Sequence, residues 1–189
     1  MTTARRDAVL EAAVEVFAER GYRGTSFDEV ARRAGLTRQG VLHYFPSKTK
    51  LLMGILRFRE DMHRDHLADG HADLDDLPSL LAEVLAFDHR IPALAQVNSK
   101  LMVSGVVHDD PVWQEVQDYY RTLRDYMAER LTGLYGERLP SGLSPRAAAT
   151  ALLAMLDGFQ EQWLLDGVQA DYPEIMREVI SVLLGSTPA

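Results

Sequence analysis

The sequence contains no cysteine, which excludes disulfide bonds and thiolate metal sites. It has no apolar run close to the roughly 18–20 residues that span a membrane, and the polar residues 1–7 lack the apolar core of a signal peptide. It also lacks the sustained apolar–polar alternation of a half-buried β-strand. These absences predict an all-α protein located in the cytoplasm.

Sequence motifs of catalysis are lacking as well. The chain has no Ser/His/Asp order typical of hydrolases, no P-loop, no strand-turn-helix GxGxxG and no HExxH. His63 and His66 lie three residues apart, a spacing that lets two side chains share one helix face and bind a metal, but the sequence fixes no third ligand. We therefore expect a solvated polar helix end there, a protein that is not an enzyme, and no cofactor.

Charge is distributed unevenly along the 189 residues, whose net charge is −8. Residues 1–52 hold nine Lys/Arg and six Asp/Glu, whereas residues 53–189 hold eleven and twenty-two. Such asymmetry is typical of a nucleic-acid-binding module joined to a part with another role. The hydrophobic content of 47% is enough to bury a core in one or two compact domains.

Helical periodicity dominates the chain. Leu10, Ala13, Val14 and Phe17 repeat at i, i+3, i+4 and i+7, and Gly21 is expected to end this first helix. About nine helices are predicted in two parts, with loops at residues 69–76 and 135–145. The other helices are expected at residues 27–34, 37–44, 48–67, 78–87, 92–107, 111–134, 146–165 and 174–184.

The segment 27–44 has the organisation of a helix-turn-helix, with Gly35 at the sharp turn. Such a unit places its second helix in the major groove of DNA. Arg38 can donate two hydrogen bonds to guanine, Gln39 can pair with adenine, and Gly40 permits a close approach to the bases. The predicted DNA-binding residues are Thr25, Ser26, Thr37, Arg38, Gln39, Gly40, His43, Tyr44 and Lys48.

A structural interpretation of some of these residues stays open. Thr25, Ser26 and Thr37 are common helix caps, although a hydroxyl near a helix start, like Lys48 at the next helix, can also contact a phosphate. Tyr44 and Phe45 can both belong to the core. Helix-glycine-helix spacing also occurs in proteins that never bind DNA.

This segment resembles the DNA-binding domain of the TetR/AcrR family of one-component regulators. The resemblance rests on Ala13 and on the residues of the runs 16–22, 25–26, 29–31, 34–36, 44–45, 47–48 and 51–52. It implies that Arg38, Gln39, Gly40, His43, Tyr44 and Lys48 face DNA. Leu42-His43 stand where the family often has an aromatic pair, which leaves His43 as either a base contact or an exposed side chain.

Residues 152–166 resemble the penultimate helix of such regulators, which the resemblance implies is part of a dimer interface. Small residues form a stripe on this helix, and small residues let two helices approach closely. A matching apolar stripe follows on the last helix, and two helices from each subunit would make a four-helix bundle. The alternative is packing within one subunit. The predicted dimerisation residues are Ala147, Ala151, Ala154, Met155, Gly158, Met176, Val179, Ile180 and Leu183.

The resemblance also implies an effector site within the helices between the DNA-binding domain and the dimer helices. Aromatic and Met side chains line such apolar sites, with a few polar groups that fix orientation; at helical spacing most of them can equally be core. The predicted ligand-binding residues are Phe58, Met62, Phe87, Asn98, Met102, Trp113, Tyr120 and Trp163.

The sequence therefore predicts a helix-turn-helix domain over residues 1–47 and a ligand-binding and dimerisation domain over residues 48–189. The predicted function is ligand-responsive transcriptional repression. A homodimer would bind palindromic double-stranded operator DNA and be released by a small apolar or amphipathic effector. The alternative is a helical protein that binds DNA or a partner without any effector.

Overall fold

A computed structural model of the chain describes residues 2–71, 76–107, 111–166 and 171–185. In these ranges the regular structure is helical throughout, which confirms the all-α prediction. One π-helical turn, Leu67–His71, follows the fourth helix. The helices are α1 Thr2–Gly24, α2 Phe27–Arg33, α3 Arg38–Tyr44, α4 Lys48–His66, α5 Leu77–Arg90, α6 Pro92–Val107, α7 Pro111–Tyr135, α8 Pro145–Asp166 and α9 Tyr172–Leu184.

Most helix ends follow the local signals of the sequence. Ser26 and Thr37 cap α2 and α3, and each side-chain oxygen accepts a hydrogen bond from the backbone N–H three residues later. α9 ends at Gly185, whose φ of 81° is the left-handed conformation that glycine adopts without strain. The predicted loop at residues 135–145 is confirmed between α7 and α8.

Two boundaries differ from the predictions. Gly21 does not end α1 but kinks it, with φ 67° and ψ −179°, and one more helical turn follows to Gly24. The predicted loop at residues 69–76 is π-helical up to His71, and residues 72–75 lie outside the described ranges.

The chain forms two compact units. The first holds the described residues up to Asp65 together with Ile91–Glu115, and the second holds His66–Arg90 together with the described residues from Val116 onward. The units are defined by packing, whereas the predicted domain boundary between residues 47 and 48 concerns function, and that boundary stays a prediction.

The first unit is built around α1. Leu10 and Phe17 on α1 are fully buried with Leu52 and Ile55 on α4, and α6 packs along α1. Gly54 lies in this core because a Cβ atom there would come within 2.6 Å of Cε1 of Phe45. α2 packs on α1 and α3 packs on α2, so this core supports the helix-turn-helix.

The second unit centres on the contact between α5 and α9, to which α8 is added. Its fully buried side chains come from four helices and include Leu85, Leu131, Leu152, Met176, Ile180 and Leu184. Among the described residues, no helix combines the length and apolar character that crossing a membrane requires.

Candidate nucleic-acid interface

The turn between α2 and α3 sets the orientation of α3. Val30 and Ala31 anchor α2 in the core, and Gly35 adopts φ 63° at the turn. The N–H of Leu36 donates to the carbonyl of Ala31 at 2.9 Å, which closes the turn. α3 therefore leaves α2 in one defined direction, as a helix-turn-helix requires.

The short helix α3 has one buried and one exposed face. Val41 and the following Phe45 are buried, whereas Arg38, Gln39 and His43 are exposed. The open question about the two aromatic residues is thereby resolved, since Phe45 belongs to the core and Tyr44 is only half-buried, with its ring edge-on to His43. Three of the predicted reading side chains thus share the surface of α3.

Arg38 is held by an exposed ion pair in the free protein. Its Nη1 donates to Oδ2 of Asp28 at 3.0 Å, and more than half of each side chain is accessible to solvent. Exposed pairs of this kind contribute little, about 0–1 kcal/mol. The guanidinium can therefore exchange Asp28 for a base edge or a phosphate at small cost.

The packing around Gly40 does not require a glycine at this position. An added Cβ would meet only Oγ1 of Thr37 at 3.4 Å and Cβ of Leu36 at 3.7 Å, which is ordinary contact. Glycine in a helix costs about 1 kcal/mol relative to alanine. The missing side chain thus destabilises α3 without a benefit to internal packing, and a close external approach would explain it.

The hydroxyl groups predicted to contact phosphate differ in their accessibility. Ser26 and Thr37 are exposed caps, as described above. Thr25 is only 3% exposed, and its Oγ1 donates to the carbonyl of Gly21 at 2.8 Å. The predicted phosphate contact of the Thr25 side chain is therefore wrong for this structure, because the kink in α1 uses the hydroxyl to satisfy its own carbonyl.

Lys48 joins the start of α4 to the end of α1. Its Nζ donates to the carbonyls of Tyr22 at 3.0 Å and Arg23 at 3.2 Å, and it lies 5.2 Å from the Tyr22 ring centroid. The Tyr22 hydroxyl in turn hydrogen-bonds to Oγ1 of Thr49 at 3.0 Å. Lys48 thus has a structural role that the sequence analysis did not foresee.

A network of charges around Glu29 ties α2 to α1. Its carboxylate contacts Arg32, Arg33 and Arg20 at 2.7–3.4 Å. Hydrogen bonds from Arg32, and after it Arg33, lower the pKa of Glu29 to about 2 although burial opposes the shift. Arg33 also bridges to Glu19 at 2.5 Å, and this hydrogen bond lowers the pKa of Glu19 as well.

The second unit exposes an apolar stripe of α9, but not the predicted one. Met176 and Ile180 are fully buried within the subunit, so the prediction that they face a partner subunit is wrong. Leu183 is half-buried, and only Val179 of the predicted set on α9 is exposed. The exposed apolar residues of α9 are Ile175, Val179 and Val182.

The small-residue stripe of α8 is accessible along most of its length. Ala147, Ala154 and Gly158 are exposed, while Ala151 and Met155 are half-buried. A Cβ added to Gly158 would meet no atom within 4 Å. Leu165, which the sequence analysis missed, adds a large exposed side chain to the same helix.

The predicted ligand-binding residues are divided between the two units. The first unit holds Phe58, Met62, Asn98, Met102 and Trp113, and the second holds Phe87, Tyr120 and Trp163. In the second unit the Tyr120 hydroxyl donates to Asp157 at 3.2 Å. The ring of Phe87 lies 4.5 Å from that of His66. Asn98 is buried on α6.

Polar side chains that the sequence analysis missed lie between α5 and α8. Asp88 and Gln160 are both buried and hydrogen-bonded to each other at 3.1 Å. The ring of His89 stacks on that of Trp163, with centroids 4.1 Å apart and planes 8° from parallel. Burial lowers the pKa of His89, while the charge of Asp88 opposes the shift.

His66 is one of the two histidines considered above as metal ligands. Its Nε2 hydrogen-bonds to Oε1 of Glu83 at 2.7 Å, and Nη2 of Arg90 donates to the same oxygen at 3.3 Å. Within the described ranges, no three His, Cys, Asp or Glu side chains are grouped to hold a metal ion.

Two family profiles match the chain. The profile described as "Bacterial regulatory proteins, tetR family" matches residues 9–54. The profile described as "BetI-type transcriptional repressor, C-terminal" matches residues 73–187, which is more than half of the chain.

Individual proteins and solved structures are similar to this chain over nearly its full length. The Fatty acid metabolism regulator protein of Bacillus subtilis (strain 168) is 24% identical over 183 residues, which are 93% of this chain and 92% of that protein. The structure of NalD, the secondary repressor of the MexAB-OprM efflux pump in Pseudomonas aeruginosa, has a TM-score of 0.69 and 26% identity, and covers 96% of this chain and 94% of that one. The complex of SmeT with triclosan has a TM-score of 0.72 and 23% identity, with 94% and 90% covered.

Proposed function

Because this chain belongs to the TetR family of bacterial transcriptional regulators, we propose that it represses transcription as a homodimer on a palindromic operator. In this proposal a small apolar or amphipathic effector releases the DNA. The chain is a ligand-responsive regulator and not an enzyme, and its location is proposed to be the cytoplasm, where operator DNA lies.

The exposed face of α3 carries the proposal. Arg38 and Gln39 have the donors and acceptors that read guanine and adenine in the major groove, and Gly40 leaves room for the bases at a site where the fold itself does not need a glycine. Ser26, Thr37 and Tyr44 are proposed to contact the backbone, and His43 either a base or solvent. Two of the three N–H groups of Lys48 serve carbonyls, so the third is proposed to reach a phosphate.

The proposed dimer interface combines the small residues of α8 with Ile175, Val179 and Val182 of α9. Exposed apolar side chains in a contiguous patch are typical of an interaction surface. Gly158 supports the same conclusion, because a Cβ added there would meet no atom of the described residues within 4 Å. A short reading helix also needs a two-fold partner to define a long operator.

An effector in the second part of the chain is proposed to act by population shift. It must bind one of two states better, since only this difference changes operator affinity. A coupling of about 1–3 kcal/mol changes that affinity roughly 5–150-fold. α4 is proposed as the lever, because it begins at Lys48 and ends in the second unit. α6 is a second route, since Lys100 donates to the carbonyls of Ala18 and Glu19 on α1.

Selection of binding sites from random duplex DNA tests the proposal. We expect an enriched palindrome whose half-sites are about one helical turn, roughly 34–36 Å, apart. The matched control is Arg38→Ala, which should bind the same palindrome with relaxed preference at one symmetric pair of positions. Enrichment of no palindrome by the wild-type chain would refute the proposal.

A thermal-shift screen of small molecules distinguishes this proposal from the alternative, a DNA-binding or partner-binding protein without an effector. A ligand that binds the folded state raises the melting temperature of the protein, whereas a protein without an effector would show no such shift.

A further inference from the structure

The first turn of α2 carries two adjacent carboxylates with different surroundings. Glu29 is only 15% exposed and belongs to the arginine network that ties α2 to α1. Asp28 is 68% exposed, and within the described ranges its ionic partner is Arg38, the first residue of α3. The side chain of Asp28 therefore serves the reading helix and not the packing of α2.

This pairing puts a negative charge on the proposed reading surface. Nη1 of Arg38 donates to Oδ2 of Asp28 at 3.0 Å, so the carboxylate lies beside a side chain predicted to read a base. A DNA-binding surface gains affinity from cations and loses it from carboxylates, because DNA carries a negative charge at every phosphate. Asp28 thus opposes DNA binding in general, and its place next to Arg38 calls for a benefit of another kind.

The hydrogen bond to Asp28 occupies only part of the guanidinium of Arg38. An arginine has five N–H donors in one planar fork, and Nε and Nη2 form an edge that does not include Nη1. In the part of the chain that the structure describes, the ion pair with Asp28 leaves this edge unoccupied. Arg38 can therefore keep Asp28 and still donate two parallel hydrogen bonds to O6 and N7 of guanine.

A phosphate and a guanine edge differ in how they interact with the pair. A phosphate bound by Arg38 brings its own negative charge close to the carboxylate of Asp28, and like charges at this range repel each other. The guanine edge is uncharged and avoids this repulsion. The ion pair also restricts the rotamers of Arg38 before DNA arrives, which reduces the cost of immobilising a long side chain on binding.

We propose that Asp28 is a specificity-determining residue that acts through Arg38. In the operator complex it keeps Nη1 of Arg38, which leaves the edge of Nε and Nη2 for one guanine in each half-site. On other sequences its charge weakens the binding of Arg38 to phosphate. Asp28 is a positioning residue and contacts no base itself. This inference rests on the proposed operator binding and deepens it, because it assigns one source of the discrimination between operator and non-specific DNA.

Titration with two duplexes tests the positioning role. One duplex is the selected operator, and in the other the guanine at the position where Arg38→Ala relaxes the preference is replaced by cytosine in one half-site. The wild type should bind the replaced duplex about five- to 150-fold more weakly, which is the discrimination of one bidentate contact. In Asp28→Ala this loss should shrink about two- to tenfold, because the arginine must then be immobilised on binding.

Asp28→Asn separates the positioning from the charge. Its amide oxygen still accepts from Nη1, so this variant should retain most of the discrimination. Asp28→Asn and Asp28→Ala should both bind a duplex without the operator more tightly than the wild type does. The plot of log affinity against log salt concentration should be steeper by about one unit, because Arg38 can then neutralise one more phosphate.

The matched control is Asp61→Ala. Asp61 forms the same kind of exposed pair with Arg64 on α4, so this variant removes one carboxylate at another place in the first unit. It should change neither the discrimination nor the salt dependence. Circular dichroism shows that each variant is folded.

The effect of Asp28 must also depend on Arg38. In an Arg38→Ala background, the further change Asp28→Ala should leave the relative affinity for the two duplexes unchanged, and this double-mutant cycle isolates the coupling of the two side chains. A general effect on the fold would instead alter the affinity for both duplexes in either background.

Three results would overturn the inference. These are unchanged discrimination in a folded Asp28→Ala, no operator position at which Arg38→Ala relaxes the preference, and an effect of Asp28→Ala on base preference that persists without Arg38. The last result would show that the carboxylate contacts a base itself, such as the amino group of cytosine. In all three cases the wild type still selects a palindrome, whereas a wild-type chain that selects none refutes the proposed function itself.

Discussion

Among single residues, the helical glycines Gly40 and Gly54 have opposite surroundings. Gly54 is required by the core, because a Cβ would collide with Phe45 and Leu10. Gly40 has room for a Cβ inside the chain. The sequence shows only that each residue is glycine. The atoms around each position show whether packing inside the molecule requires the glycine or whether the reason lies outside the molecule.

Gly40 substitutions should separate stability from function. We expect Gly40→Ala to raise the free energy of unfolding by up to about 1 kcal/mol while it weakens operator binding, and Gly40→Leu to abolish operator binding in a folded protein. Chemical denaturation and operator titration measure the two effects. Gly54→Ala is the control and should lower stability. Operator binding by Gly40→Leu at wild-type affinity would show that no close approach occurs there.

The charge network of Glu29 predicts a pH dependence of stability. The pKa of this carboxyl is lowered from 4.5 to about 2 in the folded chain, so its contribution to stability is present above the unfolded value and is lost as the pH falls through the folded one. The wild type should therefore lose more stability than Glu29→Gln between about pH 4.5 and pH 2.

Chemical denaturation of both proteins at several pH values within this window measures the difference. Asp61→Asn serves as the control, because Asp61 forms a single exposed ion pair with Arg64 and such pairs contribute little. A constant stability difference between the wild type and Glu29→Gln across the window would contradict the assignment.

At the scale of elements, helix positions were predictable from the sequence because caps, prolines and glycines are local signals. The kink of α1 was not predictable, because a glycine such as Gly21 is compatible with either a helix end or a bend. The bend is stabilised from outside that helix, by the hydroxyl of Thr25 and the ammonium groups of Lys48 and Lys100. Which face of α3 is exposed could be predicted, because a short helix with few apolar residues has only one side to bury.

The orientation of α9 shows the limit of periodicity. This helix is apolar on two sides, so the pattern of Met176, Val179 and Ile180 does not reveal which side meets the core. The extensive contact with α5 decides the orientation, and that contact is distant in sequence. The predicted set on α9 therefore combines the buried Met176 and Ile180 with the exposed Val179.

Substitutions on the two sides of α9 should have different consequences. Val182 is 65% exposed, so Val182→Asp should leave the fold of the subunit intact and convert the proposed dimer to a monomer. Met176→Asp should prevent folding, because it buries an unpaired charge. Analytical ultracentrifugation and circular dichroism distinguish these results, with the exposed Gln114→Asp in the first unit as the control. If the Val182→Asp variant dimerised with the same association constant as the wild type, the exposed face of α9 would be excluded as the dimer interface.

At the scale of the whole molecule, the chain passes between its two units at three points. These are the end of α4 after Asp65, the junction at Ile91 between α5 and α6, and the start of α7 after Glu115. After the second crossing comes α6, which packs on α1 and holds its kinked end through Lys100.

The central claim is that two copies of α3, related by a two-fold axis, read one operator. It is tested most directly by titrating the dimer with the selected palindrome and with the same duplex carrying five extra base pairs at its centre. Half a helical turn moves one half-site to the opposite face of the DNA. We expect the insertion to reduce the affinity of the dimer to nearly that for a single half-site. Equal affinity for both duplexes would contradict this claim.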